Sequence, residues 1–209
     1  MNIRKNLIVT ILLIGIFTMI FPPIIAKASP KWSALNNTMY ANSGILIYKK
    51  ATIKSKPVDV YNKGNIVIIT AVSSDNQWYK VKKDKVTGYI KCKNKLVNRK
   101  PCKLYKGKRL NMFDGTINGP SGRESYYNLP MKKVVKHMRR KGYKASKYPY
   151  WIRKDGCKML GPYIIVSANL KIRKRGSLVE TSLGTGIVCD TGSFISSYPR
   201  GLDIAVDWK

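Results

Sequence analysis

Residues 163–190 read YIIVSANLKIRKRGSLVETSLGTGIVCD, and this stretch decides the fold of the C-terminal half. Its apolar and β-branched residues form short runs separated by glycine-containing turns, which is typical of strands rather than helices. The runs predict three strands here and a fourth further on, at 163–169, 177–180, 186–190 and 202–208. We therefore expect a C-terminal β module, residues 113–209.

The N-terminal half shows the same kind of pattern. Between residues 38 and 98, short runs rich in Ile, Val and Tyr are separated by Pro, Gly, Asn, Asp and Ser. The runs predict five strands, at 45–48, 58–61, 66–72, 78–81 and 88–90. Short strands at this spacing are typical of a small β-barrel, so we expect a mainly β fold.

One amphipathic helix interrupts the strands of the C-terminal module. Asn128 is a residue type that caps helix N-termini, and Gly142 is a type that follows helix ends, so the helix is expected over 130–141. The spacing of four apolar residues predicts a single buried face, made of Met131, Val134, Val135 and Met138.

The charge of the chain restricts its partners. The 209 residues include 40 Lys and Arg against 10 Asp and Glu, which gives a formal net charge of +30. Such a field favours anionic partners, among them nucleic acid, anionic membranes and the phosphate polymers of a bacterial wall. The single histidine, His137, excludes sites that need several histidine ligands. No nucleotide-binding glycine motif or zinc spacing occurs, and we expect no metal and no cofactor.

Residues 1–28 have the layout of a secretory signal peptide. A basic start precedes the apolar run 7–21, and Ala26-Lys27-Ala28 is a small-x-small cleavage site before Ser29. An uncleaved membrane anchor is the alternative, because residues 7–25 are nearly long enough to span a bilayer.

Export decides between the anionic partners. A secreted cationic protein meets envelope polyanions first, and Lys and Arg bind any phosphate polymer by the same electrostatic effect. Peptidoglycan and anionic wall polymers are therefore the predicted partners, and the cell wall is the predicted location. We expect no specific nucleic acid, and contact with a membrane only through the signal segment before its cleavage.

Two linkers are predicted, at 29–37 and at 99–112. Between residues 91 and 111, nine Lys and Arg occur without an acidic residue, and like charges at this density resist compact packing. The basic linker either lies along an anionic polymer or acts only as a spacer. A disulfide between Cys92 and Cys102 is feasible, although four cysteines allow three pairings and some are expected to be free and buried.

Three segments between residues 38 and 98 resemble the bacterial SH3-like wall-binding domain. These are KGNIVI, NQWYKV and TGYI, which occur in the order typical of that family, at 63–68, 76–81 and 87–90. Where such domains carry an L-N-V-R-x-x-P segment, this chain has ILIYK at 45–49. The resemblance implies an SH3-like small barrel that binds walls, with Trp78 and Tyr79 either as a ligand platform or as strand core.

A second resemblance covers about 50 residues at the C-terminus. The segments are YIIVSAN, RGS, GTG, CDTG and LDI, at 163–169, 175–177, 184–186, 189–192 and 202–204. They resemble, in order, the "3D" family of double-psi β-barrels, which is named for three aspartates and includes the catalytic barrel of membrane-bound lytic transglycosylases. Asp190 and Asp203 match two of the aspartates, whereas Asn169 stands in the place of the first and Ser193 replaces a glycine.

This second resemblance implies a peptidoglycan lytic transglycosylase. In that reaction one carboxylic acid protonates the leaving oxygen and then takes a proton from the sugar's own C6 hydroxyl, so a single acid suffices. Asp190 is the first candidate, Asp203 is the neighbour that keeps it protonated, and Glu180 is a substitute. The substrate-binding candidates are Asn169, Thr191 and Gly192.

A non-enzymatic protein that binds wall polymers is the alternative. Asn169 favours it, because an amide cannot supply a proton. In that case Asp190 and Asp203 only accept hydrogen bonds from turn amides. Against it, residues 180–209 carry four acidic and two basic residues, although the rest of the chain is strongly basic.

Overall fold

A computed structural model describes residues 30–91 and 95–208 of the chain. The predicted signal peptide, residues 1–28, lies outside these described residues. So does Cys92, for which a disulfide with Cys102 is feasible. Cys157 and Cys189 are buried free thiols. No helix of the described residues has the length and apolar character needed to cross a membrane.

Seven strands form an N-terminal sheet in which every neighbouring pair is antiparallel. They are β1 (Trp32–Ala41), β2 (Ile45–Tyr48), β3 (Pro57–Tyr61), β4 (Ile66–Ser73), β5 (Trp78–Lys83), β6 (Val86–Lys91) and β7 (Leu96–Val97). Their spatial order is β3-β2-β6-β5-β4-β1-β7. All five strands predicted in this half are confirmed, as β2 to β6.

Eight strands form a C-terminal sheet. They are β8 (Ile117–Gly119), β9 (Gly122–Tyr127), β10 (Tyr150–Ile152), β11 (Lys158–Leu160), β12 (Tyr163–Ala168), β13 (Leu178–Thr181), β14 (Gly184–Asp190) and β15 (Leu202–Ala205). The main path is β10-β11-β12-β15-β9-β8, and β14 joins it by pairing with both β12 and β13. The pairs β12–β14 and β15–β9 are parallel.

These two sheets confirm the mainly β fold. Among the described residues, the first and last strands of neither sheet pair with each other, so neither sheet closes into a barrel. The four strands predicted from residue 163 onward are confirmed as β12 to β15, although the last of them ends at Ala205 instead of continuing to Trp208.

The helix α1 (Lys132–Arg140) begins two residues later than predicted. Its N-cap residue is Met131, without a side-chain cap, so the capping role expected of Asn128 is wrong. The Asn128 side chain instead donates to the Trp208 carbonyl at 2.9 Å and accepts from Lys158 Nζ at 2.6 Å. The predicted apolar face is confirmed, because Met131 and Met138 are buried with Val134 and Val135 packed beside them.

The two predicted linkers compare differently with the structure. The first, 29–37, overlaps β1, whose pairing with β4 contains an irregularity between Ala34 and Asn37 that breaks the expected alternation of apolar residues. The second, 99–112, has no helix or strand but is fixed at its end. There Leu110 is 2% exposed and its backbone N–H donates to Ser182 Oγ at 3.0 Å.

The C-terminal sheet has two differently covered faces. On one face, Val166, Leu202 and Ile204 share a hydrophobic core with Leu46 and Trp78 of the N-terminal sheet. The other face carries Ile165, Ile187 and Ala205, which pack beneath Met131 and Met138 of α1. Because the sheets share a core, the two halves form one packed unit.

Candidate functional site

Four neighbouring strands bring two carboxylates into register at one end of the C-terminal sheet. Ser167 on β12 pairs with Asp190 on β14 and, on its other side, with Asp203 on β15. Asp203 in turn pairs with Ser125 on β9. Directly paired residues project from the same face of a sheet. Asp190 and Asp203 are therefore two strands apart, with about 10 Å between their Cα atoms.

An irregularity in strand pairing places Asp190 on this face. Val166 pairs with Val188, but the next residue, Ser167, pairs with Asp190, so Cys189 is skipped. An extra residue in one strand bends it and redirects the side chains that follow. Without it, Asp190 would alternate to the opposite face.

Asp203 is half-buried, as Asp190 is, and accepts a hydrogen bond from a neighbouring strand. Its Oδ1 accepts a hydrogen bond from Ser125 Oγ at 3.0 Å. Burial raises the pKa of the Asp203 carboxyl above its ordinary value, and the Ser125 hydrogen bond and the charge of Arg123 partly oppose that effect. A carboxyl in this environment keeps its proton at a higher pH than an exposed aspartic acid does.

Asp190 is held by an ion pair. Its Oδ1 lies 3.4 Å from Arg175 Nη2, and Arg175 Nε donates to the Cys189 carbonyl at 3.0 Å. Arg175 comes from the turn that precedes β13. The two contacts fix the guanidinium against the end of β14, and through it the direction of the Asp190 side chain.

A hydroxyl pair lies between the carboxylates. Ser167 Oγ donates to the Tyr127 hydroxyl at 3.2 Å. Burial raises the pKa of Tyr127, and the charges of Asp190 and Asp203 add to this effect. The phenol therefore stays neutral, and its O–H donates to Met131 Sδ at 3.9 Å, at the start of helix α1.

Helix α1 determines where the site opens. Ile165, Ile187 and Ala205 lie two or three residues from the site residues on the same three strands, and they are buried beneath the helix. At the helix edge, burial lowers the pKa of His137, and the charges of Arg175 and Arg140 lower it further. The polar site thus begins where the helix stops covering the sheet.

Glu180 does not belong to this site. It pairs with Thr185 across the β13–β14 hairpin, five residues from Asp190 along β14, which corresponds to about 16 Å of strand. Its exposed carboxylate accepts from Thr185 Oγ1 at 3.2 Å. The prediction that Glu180 can substitute for Asp190 is therefore wrong, because the strand separates the two carboxylates.

The other predicted substrate-binding residues have different outcomes. Asn169 follows β12 at the same end of the sheet, where its Oδ1 accepts the Lys171 N–H at 3.0 Å in a turn. Thr191 is exposed just after Asp190, and Gly192 precedes a short 3₁₀ helix, Ser193–Ile195. These three residues border the site.

Trp78 and Tyr79 lie in the other sheet. Trp78 is 8% exposed and contacts Tyr48 edge to face at 5.8 Å between ring centroids, so its predicted role as a ligand platform is wrong. It fills the core between the sheets instead. Tyr79 is half-buried and packs against the core of the N-terminal sheet.

Several site residues were missed by the sequence interpretation. Arg123, Ser125 and Tyr127 alternate along β9, a strand that was not predicted. Arg123 also stacks on the ring of Tyr198, with 3.9 Å from its guanidinium carbon to the ring centroid. The signal for these residues is the alternation in 122–127, GRESYY, which contains no aliphatic residue.

Among the described residues, no group of His, Cys, Asp and Glu side chains is arranged to hold a metal ion. The side chains of the carboxylate site offer proton transfer, hydrogen bonding and charge. In comparisons with known proteins, no family model, no curated protein and no solved structure matches the chain.

Proposed function

We propose that this protein is exported to the cell wall and cleaves the glycan strands of peptidoglycan as a lytic transglycosylase. In this proposal the C-terminal sheet is an open relative of the double-psi barrels of the "3D" type, and the N-terminal sheet is an open relative of the SH3-like barrels that keeps the enzyme on the wall. The parallel pairs β12–β14 and β15–β9 support the first assignment. The order of the SH3-like sequence segments supports the second.

The placement of Asp203 carries the proposal. A general acid must be protonated near neutral pH and must be reachable by substrate. Burial raises the pKa of Asp203, which favours its protonated form, and its carboxyl is only half-buried at this end of the sheet. We therefore assign the acid to Asp203, and the ion-paired Asp190 to a supporting role.

The chemistry needs one carboxyl group to act twice, first as an acid and then as a base. The Asp203 carboxylic acid gives its proton to the oxygen between the two sugars, and the bond from C1 to that oxygen breaks. The Asp203 carboxylate then takes the proton of the C6 hydroxyl, and the C6 oxygen bonds to C1 of the same sugar. The product is a 1,6-anhydro sugar, the carboxylic acid is restored, and no water is consumed.

The neighbouring groups have distinct roles in this scheme. The negative charge of Asp190 stabilises the positive charge that develops at C1. Ser125 holds the orientation of Asp203 through the hydrogen bond from its Oγ to Asp203 Oδ1. The stacked Arg123 and Tyr198 provide a flat surface at the rim for a sugar ring or its acidic substituent.

The cationic surface supports attachment to the wall. Residues 29–98 carry 13 basic and 3 acidic side chains, and residues 99–179 carry 22 and 3. Anionic wall polymers bind such a surface by releasing counterions.

The test is digestion of purified wall sacculi, followed by mass spectrometry of the released muropeptides. We expect 1,6-anhydro products from the parent protein and a loss of about 10²–10⁴ in rate for Asp203→Asn. Asp207→Asn is the matched control, because this exposed aspartate lies four residues further along the chain. An Asp203→Asn variant that is folded and fully active would exclude Asp203 as the acid.

A wall-binding protein without activity is the second candidate. It is favoured by Asn169, whose side chain closes a turn in this structure and supplies no acid. In that case the parent protein binds sacculi and releases no muropeptide.

A further inference from the structure

A cavity lies between the two sheets, and neither Asp190 nor Asp203 lines it. It is a cleft of about 830 Å³, lined from both halves of the molecule. The N-terminal sheet contributes Asp59, Asn62 and Lys63, and the β13–β14 hairpin contributes Glu180 and Ser182. Its volume lies in the range of pockets that hold small ligands.

Two buried acceptors in this lining have no donor among the described residues. Asp59 is 2% exposed; its Oδ1 accepts the Val60 N–H at 2.8 Å and lies 3.1 Å from Lys83 Nζ, whereas its Oδ2 has no partner. Asn62 Oδ1 is also buried and without a partner. Buried polar groups are nearly always hydrogen-bonded, so this pair of orphan acceptors points to a ligand that supplies N–H groups.

The rim of the cleft is basic, whereas the two buried groups inside it are hydrogen-bond acceptors. Within the described ranges, four of its cations form no ion pair with an acidic side chain, and these are Lys63, Lys103, Arg109 and Lys154. Glu180 and Asp84 are acidic lining residues that likewise form no ion pair there. The unpaired charge in the cleft is therefore positive overall and favours an anionic ligand.

The basic linker, residues 99–112, forms a fixed wall of this cleft. Cys102 Sγ donates to the Lys63 carbonyl at 3.6 Å, and a Cβ on Gly64 would lie 2.9 Å from that sulfur. Further along, Leu110 is anchored to Ser182. Lys103 and Arg109 lie between these two anchored residues, Cys102 and Leu110. The basic linker is therefore part of a preformed site.

From these observations we propose that the cleft binds a short acidic peptide. Its backbone N–H groups satisfy Asp59 Oδ2 and Asn62 Oδ1, and its carboxylates contact the cations of the rim. Neutral amide donors suit the buried acceptors better than an ammonium group does, because Lys83 Nζ already lies beside Asp59. The site is separate from the carboxylate site, so the proposal goes beyond the glycan-cleaving function and does not depend on it.

Isothermal titration calorimetry on the full chain at low salt tests this proposal. The probes are an acetylated Ala-Glu-Ala-Glu peptide, the same peptide with Gln in place of Glu, and inorganic phosphate. We expect the acidic peptide to bind at least about tenfold more tightly than either of the others, since each loses one of the two recognised features. Equal affinity for the Gln peptide or for phosphate, or no binding of the acidic peptide, would overturn the proposal.

Three variants locate the binding in the cleft. Asn62→Ala removes an acceptor that has no partner in the described part of the chain, and we expect about threefold to tenfold weaker binding. Lys103→Gln weakens binding about twofold to fivefold, whereas Glu180→Gln strengthens it by a similar factor, because it removes a like charge. The matched controls are Asn36→Ala and Lys144→Gln, at exposed positions outside the cleft.

The opposite signs of the two charge variants keep the test decisive even if Asn62→Ala fails to fold. If Lys103→Gln and Glu180→Gln change the affinity in the same direction, or not at all, the peptide does not occupy this cleft. Asp203→Asn should bind the peptide as the parent does. Loss of glycan cleavage and loss of peptide binding are thereby separate outcomes.

Discussion

The hydrogen bond from Ser125 to Asp203 gives the sharpest prediction about the carboxylate site. Ser125 Oγ donates to Asp203 Oδ1 at 3.0 Å, and this contact favours the ionised carboxylate. The substitution Ser125→Ala removes the donor and leaves the surrounding strands unchanged. Burial of the carboxyl, which raises its pKa, is then opposed only by Arg123. We expect the pKa of Asp203 to rise further.

The size of the effect follows from the strength of such a bond. A hydrogen bond to a charged group contributes about 1.5–3 kcal/mol, and one pKa unit corresponds to about 1.36 kcal/mol. The upper limit is therefore about two units. Because Asp203 is only half-buried, water replaces part of the lost bond, and we expect a rise of about one unit.

The assay is an NMR titration of the Asp203 carboxyl carbon in the parent and in Ser125→Ala, with the exposed Ser146→Ala as control. A second readout is the pH profile of sacculus digestion. A higher pKa keeps the acid protonated to higher pH, so the alkaline limb of the profile should move upward with the titration. An unchanged or lower pKa in Ser125→Ala would refute the assigned role of this contact.

Three further predictions concern the wall, the basic linker and the core. Binding to isolated walls should fall steeply between low and high salt, as measured by pelleting, and salt-independent binding would refute an electrostatic attachment. Leu110→Ala should lower the free energy of unfolding by about 2–5 kcal/mol in a denaturant titration, because Leu110 is 2% exposed; a change near zero would mean that the segment is not anchored. Burial raises the pKa of Glu124 in the folded protein, so folding favours the protonated carboxyl. The stability that results is present at acidic pH and is lost as the pH rises through the folded pKa. In Glu124→Gln, thermal unfolding should show less loss of stability with rising pH than in the parent, and an unchanged pH dependence would contradict this.

Sequence patterns predicted the strands that contain aliphatic runs. Segments such as 45–48 and 186–190 are bounded by turn residues and rich in β-branched side chains, so local propensity and tertiary structure agree. The strand β9 was missed because its sequence, GRESYY, buries only Glu124. That carboxylate accepts both the backbone N–H and the hydroxyl of Ser182, an arrangement that only the tertiary fold reveals.

The two aspartates of the site were predicted as neighbours, but their placement two strands apart was not. The sequence placed Asp190 in a turn and Asp203 in a strand, whereas their alignment on either side of Ser167 depends on strand order and on the skipped Cys189. Glu180 shows the converse. It is closer to Asp190 in sequence than Asp203 is, yet it lies at the other end of β14.

Digestion of sacculi in water enriched in heavy oxygen tests the central claim most directly. If Asp203 drives attack by the sugar's own C6 hydroxyl, the parent protein releases 1,6-anhydro muropeptides that contain no oxygen from the solvent. A hydrolase adds one solvent oxygen to each new reducing end. Products that carry the heavy isotope at that position, or the absence of any released muropeptide, would contradict the proposed transglycosylase.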